Sequence, residues 1–186
     1  MFQNKIKRES SRILAKEHEN ILKIAGALNK ECDLVEKGKE IDKEFFSKVI
    51  DFIRDYADKF HHAKEEDILF KEFIKKVESN NSCVHCNPVE QMLVEHNEGR
   101  NFVKGMKEGL EKNDKNVLIE NARGYVNLIR EHIFKEDNIL YPMADEAISD
   151  EVEKSMLEKF KKINTEKRKD VEKYEKLSRE ATKNEC

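Results

Sequence analysis

Long stretches of this chain carry apolar residues at helical spacing, and only two prolines, Pro88 and Pro142, interrupt its 186 residues. Proline removes a backbone donor and clashes with the preceding turn, so a chain this poor in it has room for long unbroken helices. Six glycines, no tryptophan and 40% charged residues describe helices with heavily solvated outer faces and no extended β structure. The length suits one domain that buries a core without staples.

Four amphipathic segments emerge. The first runs from about residue 8 to 36, with Leu14, His18, Ile21 and Leu22 on one stripe before VEKGKEID breaks it. The second begins near Asp42 as N-cap, and Ile50, Ile53, Phe60, His61 and Glu65 lie on its inner face. After SNNSCVHCNP, Pro88 suits the first turn of a third helix whose stripe holds Met92, Leu93, His96 and Met106. A polar turn at EKNDKN leads to the fourth, where Tyr125, Ile129, His132, Glu136, Ile139 and Leu140 share a face and Pro142 predicts a kink or stop. Short breaks between long helices predict an all-α antiparallel bundle over residues 1–148. Residues 149–186 predict one more charged amphipathic helix, packed on the bundle or on a partner subunit.

A formal charge of -3 with acids and bases interspersed offers no basic stripe for nucleic acid and no polybasic anchor for a membrane. No apolar run approaches a bilayer span, and MFQNKIKRES lacks the apolar core of a signal peptide. Four scattered cysteines fit free thiols in a reducing compartment, so the expected location is cytoplasmic.

The apolar stripes carry an unusual cargo. Segments HHAKEEDILF and EHIFKEDNILYP align on Leu69 and Leu140, pairing His61 with His132, Lys64 with Lys135, Glu65 with Glu136, Glu66 with Asp137 and Phe70 with Tyr141. Each holds His-x-x-x-Glu, whose members sit one turn apart on a helix and reach the same small volume. At roughly 100° per residue His61 lies within about 20° of Ile50, and His62 is turned a further 100° or so to the flank. His18 and His96 add one imidazole from each remaining helix. Singly, such a histidine suits an ordinary hydrogen-bonded core role, and such a pair suits a surface ion pair. Jointly, burying these groups without a compensating cation is too costly, so the pattern predicts a metal site. Mixed nitrogen and oxygen ligation favours iron, with manganese as the alternative, over a closed tetrahedral zinc site.

Over roughly residues 8 to 148 the chain resembles the hemerythrin-like family, also called the HHE cation-binding domain. Its pattern is met by His18 in KEHEN, His61 and Glu65 in HHAKEED, His96 in VEHNEGR, and His132 and Glu136 in EHIFKED. The resemblance implies an up-down-up-down four-helix bundle around two non-haem iron ions, oxo- or hydroxo-bridged. Glu65 and Glu136 would bridge the ions and the histidines would be terminal ligands. Oxygen-carrying hemerythrins have a second histidine on the third helix where this chain has Arg100, so one ion is left with an open position. Some hemerythrin-like proteins draw a ligand from the residue after the second-helix histidine, which makes His62 a seventh candidate. Glu136 also stands where the oxygen carriers have an aspartate at longer spacing.

The function this implies is binding of, or reaction with, dioxygen, a peroxide or nitric oxide, with Ile129, Leu22 and Ile53 limiting water access. An enzymatic version would be peroxidase-like or oxidase-like and would need a reductase or the Cys83–Cys86 pair as electron donor. The alternative is a non-catalytic iron or oxygen sensor that signals through metal occupancy. Tyr56, Tyr125 and Tyr141 are candidate hydrogen-bond donors or redox tyrosines near the metals, with core packing the commoner role. Either a monomer or a homodimer is compatible with the sequence.

Overall fold

A computed structural model describes residues 6–79 and 88–183. The first rod is α1 (Glu9–Glu36). The second runs through α2 (Lys43–Phe52), two π-helical stretches (Ile53–His62 and Glu65–Leu69) and α3 (Phe70–Ser79). The third is α4 (Val89–Lys112). The fourth joins α5 (Lys115–Lys135), a π-helical stretch (Glu136–Leu140) and α6 (Tyr141–Ala147). Two further helices follow, α7 (Asp150–Glu166) and α8 (Arg168–Lys183). The four rods form the expected antiparallel bundle, and no strand occurs among the described residues. No helix is long and apolar enough to cross a membrane.

Local signals explain the rod ends. Asp42 accepts a hydrogen bond from Phe45 N at the start of α2, and Asp114 accepts from Asn116 N and Val117 N at the start of α5. Asn113 closes α4 in the left-handed conformation, φ 54°. At that turn a Cβ on Gly109 would lie 2.5 Å from Leu118 N, so only glycine lets α4 and α5 meet so closely. The start of α1 is different: Arg8 gives no side-chain cap. Asp145 and Glu153, remote in sequence, take that role by accepting from Arg8 N and Ser10 N at 2.9 Å each.

Two apolar clusters fill the bundle. One gathers Leu28, Phe46, Phe52, Met106, Leu118 and Val126, and the other Leu14, Leu69, Phe73, Tyr141, Met156 and Phe160. The site occupies the polar level between them.

The structure corrects several expectations. Leu22, Leu93 and Ile139 are exposed, so Leu22 does not shield the site. Pro142 does not itself end the fourth rod, which continues to Ala147. It falls in the first turn of α6, just after the π-helical stretch, where its missing N–H costs least. The segment after Ser149 is a pair of helices that parts at Lys167, packed on α1 and on the π-helical parts of the second rod. Its Met156, Phe160 and Ser178 are fully buried. Cys83 and Cys86 lie outside the described residues.

Candidate metal centre

The second rod carries the decisive local distortion. A π-helix closes i→i+5 bonds, so it holds more residues per turn and each step turns by less than the 100° of an α-helix. Through Ile53–His62 this reduces the angular step between His61 and His62. Both are buried, which corrects the flank position expected for His62. His61 turns towards α1 and His62 towards α4: His62 stacks on His96 with ring centroids 3.8 Å apart.

Two groups of ligand-type side chains result. His18, His61, Glu65 and Glu136 form one and His62, His96 and His132 the other, with the ligand-type atoms of each group within 4.8 Å of one another. Glu136 joins them, with Oε2 3.2 Å from His18 Nε2 and Oε1 3.2 Å from His132 Nε2. Glu65 Oε2 is 3.6 Å from both His61 Nε2 and His96 Nε2. Across each group two imidazole nitrogens face each other, His18 and His61 at 2.9 Å, His96 and His132 at 3.1 Å.

Every one of these four imidazoles is held from behind. His18 Nδ1 meets Asp137 at 2.9 Å and His61 Nδ1 meets Glu17 at 2.9 Å. His96 Nδ1 meets Glu66 at 2.7 Å and His132 Nδ1 meets Glu95 at 2.8 Å. A carboxylate on Nδ1 fixes the tautomer that leaves Nε2 as a lone pair pointing inward, which is how metal-ligating histidines are oriented. His62 is the exception, with Nδ1 3.5 Å from Asp58 and no hydrogen-bond partner.

The inner atoms are short of partners. Glu65 Oε2 and both carboxylate oxygens of Glu136 are buried without a hydrogen bond. Such atoms carry a desolvation penalty of a few kcal/mol each unless a cation meets them. Protons balance the cluster in part. Burial opposes the charged imidazole at His18, but Asp137 and Glu136 outweigh it and lift the group to about 10. The same contest lifts His132 to about 9 through Glu136 and Glu95. Burial, aided by the Glu136 charge, pushes Glu65 well above the usual carboxylate range. Glu136 is also buried, yet His132 and His18 hold it well below that range. Protons thus stand where cations would compensate the same carboxylates, and a cation entering would release them.

The surroundings of the two groups differ. Tyr141 stacks on His18, centroids 5.6 Å apart, and its hydroxyl donates to Glu65 Oε1 at 2.5 Å. Lys64 is fully buried, pairs with Glu17 and lies 3.5 Å over the Phe60 ring, with Phe160 of α7 beyond. At the His62–His96–His132 group a cavity of about 300 Å³ opens instead. His62, His96 and His132 line it, together with Ile53, Gly99, Tyr125 and Ile129. Arg100 turns to Asp58 and Glu66 at 2.7 Å each.

The Hemerythrin HHE cation binding domain matches residues 10–144. The chain belongs to that family. No curated protein and no solved structure matches it significantly. Membership of a cation-binding family agrees with the donor set that the bundle assembles. Sequence reasoning missed the outer carboxylates of this hemerythrin domain, Glu17, Glu66, Glu95 and Asp137. The signal was present, since a glutamate precedes the histidine in both KEHEN and VEHNE, and Glu66 aligns with Asp137 in the internal repeat. Of the candidate tyrosines, Tyr141 reaches a ligand-type carboxylate, Tyr56 accepts from Asn20 at 3.0 Å, and the Tyr125 hydroxyl is buried without a partner.

Proposed function

We propose that this chain is a non-haem di-iron protein that binds or reacts with a small oxidant or diatomic ligand. His18 and His61 would hold one ion, His62, His96 and His132 the other, and Glu65 and Glu136 would serve both. The observation that carries the reading is the set of carboxylate oxygens on Glu65 and Glu136 that have no hydrogen bond, buried among inward-facing imidazole nitrogens. Iron at this site would supply one-electron chemistry and affinity for dioxygen, peroxide or nitric oxide.

The chain's own residues do the rest. Asp137, Glu17, Glu66 and Glu95 fix the imidazoles, and Tyr141 holds one oxygen of Glu65 so that the other would be left for a cation. The cavity brings a ligand to the His62–His96–His132 half, while Ile53 and Ile129 keep that approach apolar. The test is metal analysis with optical spectroscopy on anaerobically prepared protein. Two irons per chain, with near-ultraviolet bands that appear on oxidation and are lost in Glu136→Ala, are expected. Zinc alone, or no stoichiometric metal, would sink the reading. Mixing the reduced protein with peroxide or with dioxygen then separates a peroxidase-like enzyme from a carrier or sensor.

A further inference from the structure

The carboxylates behind the imidazoles are themselves held by cations, and the holders differ. Glu17, behind His61, pairs with Lys64, and Glu95, behind His132, pairs with Lys135. Each of these is one ammonium on one carboxylate. At His62 and His96 a single guanidinium serves both. Arg100 Nη2 donates to Glu66 Oε1 at 2.7 Å, the same oxygen that His96 Nδ1 meets at 2.7 Å. Arg100 Nη2 also donates to Asp58 Oδ1 at 2.7 Å, joined by Nε at 3.0 Å. That Asp58 oxygen is the one 3.5 Å from His62 Nδ1.

The consequence is geometric. Asp58 and Glu66 flank His62 on the second rod, and Arg100 follows His96 by one turn on α4. The two imidazoles between them stack nearly parallel, centroids 3.8 Å apart and planes 11° off. An exposed ion pair contributes little by itself, but Asp58 and Glu66 are only 26% and 27% exposed. A planar guanidinium also fixes the angle between the oxygens it holds, which the point charge of an ammonium does not. Because both oxygens touch one nitrogen, the two carboxylates lie close together. Without the guanidinium their like charges would drive them apart, and with them the anchors of two imidazoles.

We propose that Arg100 is the positioning residue of the His62–His96–His132 half: its guanidinium clamps Asp58 and Glu66 so that His62 and His96 present their other ring nitrogens, Nε2, to one cation. The proposal rests on the reading that these histidines share an ion, but the clamp itself is made without metal.

NMR of the imidazole nitrogens in isotope-labelled, full-length protein without metal tests it. In the wild type, His62 and His96 should each show a single tautomer with the proton on Nδ1. Arg100→Gln should give His62 a mixture of tautomers and move the His96 nitrogen signals, while His61 and His132 keep theirs. Arg100→Lys keeps the charge without the fork, so it should protect the fold yet show the same loss at His62. In metal-loaded protein, competition with a chelator should find one ion held about 10- to 100-fold more weakly in Arg100→Gln and the other unchanged. Three results would overturn the proposal: unchanged His62 signals in Arg100→Gln, wild-type spectra in Arg100→Lys, or equal weakening of both ions. A wild type that takes up no metal would sink the di-iron reading, and the metal-free spectra would still decide the clamp.

Discussion

The two halves of the centre are built from one repeated motif yet live in different surroundings. In each, a glutamate preceding a histidine on one rod grips the imidazole of the next: Glu17 holds His61, and Glu95 holds His132. A lysine three residues after the gripped histidine meets the same glutamate, Lys64 in one half and Lys135 in the other. Beyond that the symmetry fails. Lys64 is buried under α7 and Lys135 is one-third exposed. Tyr141 hydrogen-bonds Glu65, whereas its counterpart Phe70 only stacks near His96, centroids 5.9 Å apart. The second helix of the repeat places His62 where the fourth places Ile133. A duplicated ligand frame is therefore compatible with one half closed by packing and one half opened to a cavity.

Removing the group common to both halves should have the largest effect. Glu136→Ala leaves the His18 and His132 charges without their central partner, so metal should be lost from both halves. Stability should fall by about 3 to 5 kcal/mol, read by denaturant unfolding. His62→Ala breaks the comparison on one side only. The metal-to-protein ratio should fall towards one, and ligand-induced spectral changes should vanish while the closed half keeps its ion. A ratio still at two would show that His62 is not a ligand.

The outer carboxylates sharpen the contrast further. Glu17→Gln and Glu95→Gln should each lower metal affinity by about 10- to 100-fold, and competition with a chelator should find the larger loss for Glu17, whose Lys64 partner is left buried. Tyr141→Phe makes the closed half resemble the open one. It deletes a hydrogen bond to a buried carboxylate and should cost about 1 to 2 kcal/mol in thermal or denaturant unfolding.

The smallest effect concerns the helices that close the first half. Tyr174 of α8 donates to Asp55 at 3.1 Å. The hydrogen bond from Arg54, working against burial and joined by Lys59 and Tyr174, holds the Asp55 carboxyl well below its usual range. A depressed folded pKa means that this contribution is full above the unfolded value near about 4 and is lost as pH falls through the folded value. Asp55→Asn should thus cost a few tenths to about 1 kcal/mol near neutrality, and the difference from wild type should shrink on acidification.

Much of this was legible beforehand because helical periodicity is local. The rods, the caps at Asp42 and Asp114, and the inward placement of His18, His61, Glu65, His96, His132 and Glu136 follow from spacing along single segments. Leu22 and Ile139 misled because a stripe is wider than the face that packing covers. The outer carboxylates sit on the same short motifs, but which imidazole each one meets depends on how neighbouring rods are set against each other.

The chain's own sequence determined that four helices would carry imidazoles and carboxylates on their apolar faces, since that needs only the period of an α-helix. It did not determine where His62 points or which half opens. Those were decided in three dimensions, by a π-helical turn that changes the angular step in the middle of the second rod and by α7 and α8 packing over one side. The packing of α7 and α8 rests on contacts between segments far apart in sequence, and the π-helical step departs from the α-helical period on which a reading of one segment relies.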